Sequence, residues 1–262
     1  ASRNFARIGI AVSFLFYLIL YLIVLFLRQP SVIFRTELFS PYIFSLNSFI
    51  PSLGHFMLLS ILTVFFAYVF YRYMPVGEIY AKKTLTTHLT SGVLFVTGTF
   101  LFCLFHYVFC KLVSNSNINF ETYKVLDLSL YSVAGFTSVL LLFLLPVSFI
   151  IKAFKTDGQT ETGKKIPALL ISAGVIVAFT LLKRVSMPAL MFLWAGFITV
   201  VWITHGKKTG KLSISVFFSL IAGIYSLIII TVFSEKKTNE NLKVHALSLS
   251  TENDPEAEHL LL

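Results

Sequence analysis

Charge is what this sequence has least of. Only 13% of its 262 residues are Asp, Glu, Lys or Arg, about half the share of roughly 25% found in soluble domains. That shortage, with 56% hydrophobic residues and a mean hydropathy of +0.84, excludes an ordinary water-facing surface and places the chain among integral membrane proteins. Cysteine is nearly missing as well. Cys103 and Cys110 lie in one oily run, about 10 Å apart along a helix, so no disulfide framework and no redox compartment follow. The long apolar runs carry no Asp, Glu, Lys or Arg near a midpoint, which removes the exchangeable groups that a proton relay or charged-substrate carrier needs. Phosphate loops, Gly-x-Ser-x-Gly elbows and His-Glu-x-x-His helices are also lacking, so the chain is not a recognisable enzyme and no cofactor is expected in it.

What is there is oil in long runs. A bilayer core of about 30 Å needs roughly 20 apolar residues per helix, and on that ruler seven spans are expected, at about 7–27, 53–73, 91–113, 126–151, 167–183, 187–204 and 212–233. The fold class is therefore all-α, a polytopic transmembrane helix bundle. The first run is too long for a signal-peptide core and is read as a retained span. The fifth and sixth are joined only by 183–186 and should form a tight hairpin.

With the N-terminus inside, twelve Lys and Arg residues fall on the cytoplasmic side and six on the other before the tail. This bias favours that orientation, and an odd number of spans then puts the tail outside. The formal charge of +9 is scattered between the oily runs rather than gathered on one face, so its expected partners are membrane lipids and not nucleic acid. The chain divides into a bundle over 1–233 and an extracytoplasmic stalk helix with the start of a further region over 234–262. Leu242, Ala246 and Leu249 recur on one side of that stalk. At 251–254 it should break, and Asp254 as N-cap with Pro255 at the first helical position opens a new acidic helix.

Few side chains invite a chemical role. Cys103, His106 and Cys110 share a helical face in the third span and could partly hold zinc or copper, but no other span offers a fourth ligand at that depth. The favoured reading is packed residues, with His106 hydrogen-bonded to a neighbour near the outer end of the span. Ser215, Ser219 and Gly223 follow small-xxx-small spacing in the seventh span, and Gly174 with Ala178 repeats it in the fifth. Such faces allow close helix packing, within the bundle or against a second copy. Pro146 should kink the fourth span. The first outside loop sets Phe34, Phe39, Tyr42, Phe44 and Phe49 between Pro30, Pro41 and Pro51, and is expected at the headgroup level or folded back on the bundle.

Two stretches carry a resemblance. HALSLSTENDPEAEHLLL, through Glu252, Asp254, Pro255, Ala257 and Glu258, resembles a segment of large multispanning bacterial sensor histidine kinases. There a Leu/Ala-rich stalk ends in an acidic signature ahead of an extracytoplasmic sensor region. SPYIFSLNSFIPSLGHFML, through Ser40, Pro41, Pro51, Ser52, Leu53 and Gly54, is similar to a second element of that family, with His55 where an acidic residue would be expected. The resemblance implies an inner-membrane location and a homodimer. It also implies a longer protein that goes on to a cytoplasmic ATP-dependent histidine kinase, which alone would engage a response regulator. No phosphoacceptor-His helix or ATP-lid pattern lies in these residues. Two other readings stand beside it: a small transporter or channel subunit for apolar or lipid-like substrates, and a membrane anchor or scaffold.

Overall fold

The computed structural model describes residues 2–27, 31–74, 84–118, 129–156, 166–183, 194–196, 198 and 211–251. All regular structure among them is helical. The long elements are α1 (Ser2–Leu27), α3 (Leu53–Tyr73), α4 (Thr84–Asn115), α5 (Leu130–Thr156), α6 (Ile166–Lys183) and α7 (Lys211–Thr251), and a single turn, α2 (Ser31–Phe34), precedes a short 3-10 helix at Glu37–Phe39.

Five of these helices are long and apolar enough to cross a membrane: Ile8–Leu27, Leu53–Tyr73, Leu89–Asn115, Leu130–Phe154 and Ser219–Ser248. The chain is thus an all-helical protein with the character of a multi-pass membrane protein. The fifth expected span is helical over Ile166–Lys183, with a shorter apolar stretch, Ser172–Leu181, among its described side chains. The sixth, at 187–204, lies outside the described residues except for 194–196 and 198, and the expected 183–186 hairpin lies outside them apart from Lys183.

Helix limits follow local chemistry. Ser52, extended at φ −156° and ψ 168°, caps α3 by accepting from the His55 amide at 3.3 Å. At the other end Met74 is extended, as the residue before Pro75 should be. Pro146 sits inside α5, which continues through it as one helix. Leu142 thereby loses its usual intrahelical donor.

Helix α5 is wedged between α3 and α4. It runs parallel to α3, where the Phe70 and Phe149 rings stack at 4.0 Å between centroids and 8° between planes. It runs antiparallel to α4, with Ser91 donating to the Ala153 carbonyl at 3.1 Å near one end and Phe105 against Phe143 at 4.9 Å farther along. The two helices approach closely at Gly98, where an added Cβ would stand 2.8 Å from Ile150 Cγ1 and 3.2 Å from Phe149 Cβ. Ser91, Gly98 and Phe105 recur every seven residues, so the α5-facing seam of α4 has a small residue where the helices come close.

Helix α1 lies on the outside. It packs on α3 through Phe14 against Phe66 and through Tyr17, whose hydroxyl meets Thr63 Oγ1 at 3.1 Å. Thr63 already donates to the Leu59 carbonyl at 2.6 Å, so Tyr17 is the donor to Thr63. The rest of α1 exposes Val12, Leu15, Ile19 and Phe26, a surface suited to lipid. On its other side α4 carries α6, with Phe100 against Phe179, and α7, with Phe109 against Tyr225.

Candidate functional site

Residues 31–52 are folded, and they cover the end of the bundle where α3 begins and α4 ends. The Asn47 carboxamide turns the chain by accepting from the amides of Phe49 and Ile50 at 3.1 and 2.9 Å, a side-chain turn of the kind Asn favours. Phe44 is fully buried and meets Phe56 of α3 edge-on at 5.9 Å. Phe39 covers Gly54, where an added Cβ would lie 2.7 Å from its ring. Phe34 and Phe39 both pack on His55, at 5.5 and 5.1 Å, and His55 Nδ1 is 2.7 Å from Ser52 Oγ. Ser52, Leu53, Gly54 and His55 thus form a floor for this cap, so the loop folds back on the bundle end, one of the two placements expected of it. Tyr42 and Phe49 stay exposed on its surface.

Polar contacts fasten the cap to two helices directly and to two more through residues 116–117, just past α4. The Tyr21 hydroxyl of α1 donates to the Phe49 carbonyl. Tyr131 of α5 donates to Glu37 Oε2 at 2.6 Å. Just past α4, Asn117 donates its backbone amide to the Ile43 carbonyl and its side-chain amide to the Tyr42 carbonyl, each at 2.9 Å. The fourth link leaves the cap indirectly: Lys237 of α7 donates to the carbonyl of Ser116, the neighbour of Asn117.

Below the cap, α4 and α7 share a buried polar group. His106 Nδ1 is 2.6 Å from the Tyr225 hydroxyl, and its Nε2 is 3.5 Å from Cys110 Sγ. All of these side chains are buried, within a cluster that includes Phe105 and Phe109. A neutral imidazole donates from one ring nitrogen and accepts at the other, so one histidine satisfies two partners in an apolar surrounding. His106 is hydrogen-bonded to a neighbour, as its residue type and depth suggested.

Among the described residues no group of three or more His, Cys, Asp or Glu side chains is placed to hold a metal ion.

At the opposite end of the bundle Lys152 is buried. It donates to the Met74 carbonyl at 2.9 Å and lies 5.2 Å from the centre of the Tyr71 ring. A cation there satisfies a free carbonyl at the C-terminus of α3 and complements the helix dipole.

The remaining expected positions fall as follows. Ser219 and Gly223 are exposed on α7, and among the described residues nothing comes within 4 Å of a Cβ added at Gly223. The Ser215 side chain is outside the described set. Gly174 and Ala178 are also exposed. Leu242 and Ala246 lie exposed on the outer part of α7, the Leu249 side chain lies outside the described set, and so do Asp254, Pro255 and the expected break at 251–254 beyond Thr251.

Several contact residues were not singled out from the sequence: Gly98, Tyr225, Asn117 and Lys237. Tyr225 alone had a signal, a phenol in the middle of an apolar run, where a buried hydroxyl requires a partner. No protein-family model, no curated protein and no solved structure matches this chain.

Proposed function

We propose that this chain is the membrane-embedded sensing part of a bacterial two-component sensor histidine kinase. In this reading it lies in the inner membrane with seven spans, its N-terminus in the cytoplasm and residues 234–262 outside. Lipids surround the bundle, a second copy pairs with it, and a response regulator is reached only through kinase domains that the resemblance places later in a longer chain. The observation that carries the reading is α7. One unbroken helix of 41 residues starts at Lys211 and ends at Thr251, immediately before the acidic Glu252–Glu258 signature. A continuous helix transmits tilt and rotation along its length, and a stimulus acts through it by binding one arrangement better than the other. The α4–α7 boundary is filled by Phe105, Phe109 and Tyr225, which suits a signalling contact better than a path for a carried substrate.

Two measurements test this. In a protein carrying the kinase domains, deletion of 240–262 should abolish the stimulus dependence of phosphate transfer from ATP to its own histidine, leaving a basal rate. An intact response counts against the relay. In intact cells, a cysteine replacing the exposed Val244 should react with a membrane-impermeant maleimide added from outside. Reaction only after lysis would place residue 244 in the cytoplasm, the compartment this reading gives to the N-terminus, and end the proposal.

A further inference from the structure

Past Ser234, the described side chains of α7 are exposed with one exception. Between Glu235 and Ser248 every residue is exposed except Lys237, and Lys237 donates to the Ser116 carbonyl. Ser116 is itself buried, and Asn117 beside it holds the carbonyls of Tyr42 and Ile43. Twelve residues earlier on α7, Tyr225 is bonded to His106. Tyr225, Ile229, Phe233 and Lys237 follow at four-residue intervals, the first three packed in the main core. They form one slowly winding ridge along the helix.

We propose that Lys237 is a latch that couples the outer segment of α7 to the cap, with the Tyr225–His106 contact as its inner pivot. The inference rests on the relay reading for its purpose, but the geometry stands without it. The pivot and the latch are about 18 Å apart along the helix, and Thr251 lies about 21 Å beyond the latch. A small tilt about Tyr225 is therefore roughly doubled between Lys237 and Thr251. The hydrogen bond is short-ranged, so a cap movement that carries Ser116 beyond the reach of the Lys237 side chain breaks it. The latch thus gives the helix two arrangements, docked on Ser116 or released, and whatever shifts residues 31–52 biases between them.

A lysine can also lie along an apolar surface by its stem alone, and the test separates that case. The 262-residue chain in lipid nanodiscs takes spin labels at Tyr42→Cys and Val244→Cys, both exposed, while the native Cys103 and Cys110 are buried. The distance distribution between the labels should be narrow in this background. It should broaden and shift with Lys237→Met, which keeps the stem and removes the donor, and Lys237→Arg, which keeps a charged donor, should retain the narrow distribution. A Lys237→Met distribution that matches the parent overturns the latch. Thermal midpoints taken on the same samples confirm that the bundle is intact, and no kinase readout enters the result, so the latch and the relay stand or fall separately.

Discussion

Replacing Gly98 by leucine is expected to destabilise the bundle by about 1–3 kcal/mol or more, the range seen when side chains are forced into packed interiors. The first added carbon already meets Ile150 Cγ1 at 2.8 Å and Phe149 Cβ at 3.2 Å, with the Ile150 backbone nitrogen at 3.4 Å. Ile150 can turn aside in part, but the backbone cannot, so α4 and α5 must separate. Separation also threatens the Ser91–Ala153 hydrogen bond and the Phe95–Phe154 contact on the same seam. Gly92, six residues earlier on the same helix, has nothing within 4 Å of an added Cβ among the described residues. Gly92→Leu should therefore be close to neutral. Denaturant unfolding of the two variants in one detergent gives the comparison, and equal costs at the two positions would refute the α4–α5 approach.

The second large effect is expected at the α4–α7 contact. Tyr225→Phe and His106→Leu should each cost about 1–2 kcal/mol, because each leaves a polar atom buried without its partner and transmembrane hydrogen bonds fall in that range or somewhat below it. The double variant should cost less than the sum, with a coupling of about 1 kcal/mol, since no orphaned hydroxyl or ring nitrogen is then left facing the other. Additive costs would show that the 2.6 Å contact contributes no net stability. Cys110→Ser, at 3.5 Å from the other ring nitrogen, should matter less, as a thiol is a weak partner.

Helix existence was legible because a bilayer demands it: long apolar runs with their charges at the ends have few other outcomes. The span expected at 53–73 coincides with Leu53–Tyr73, where Pro51–Ser52 and Met74–Pro75 give unambiguous start and stop signals. The seventh span was read to 233 on hydropathy, with a helical stalk continuing from it. Helix α7 runs from Lys211 to Thr251, and the Glu, Lys, Leu and Ala residues among 235–249 favour that continuation.

Packing was not legible to the same degree. Four small residues that looked suited to close approach, Ser219, Gly223, Gly174 and Ala178, face outward, while Gly98 lies where two backbones meet. Spacing alone marks a smooth face on a helix but not what is set against it.

By itself, then, the sequence determined that the chain is helical with several apolar helices that fit a multi-pass membrane protein, roughly where those helices lie along the chain, and that His106 needs a partner. Only the tertiary structure decided that α5 sits between α3 and α4, that residues 31–52 close over the bundle end, and that His106 meets Tyr225 while Lys237 meets Ser116. The physical reason is that lipid and core are equally apolar. Hydropathy therefore cannot say which face of a helix turns inward, and the pairing of polar groups from 119 and 121 residues apart is fixed only when the helices pack.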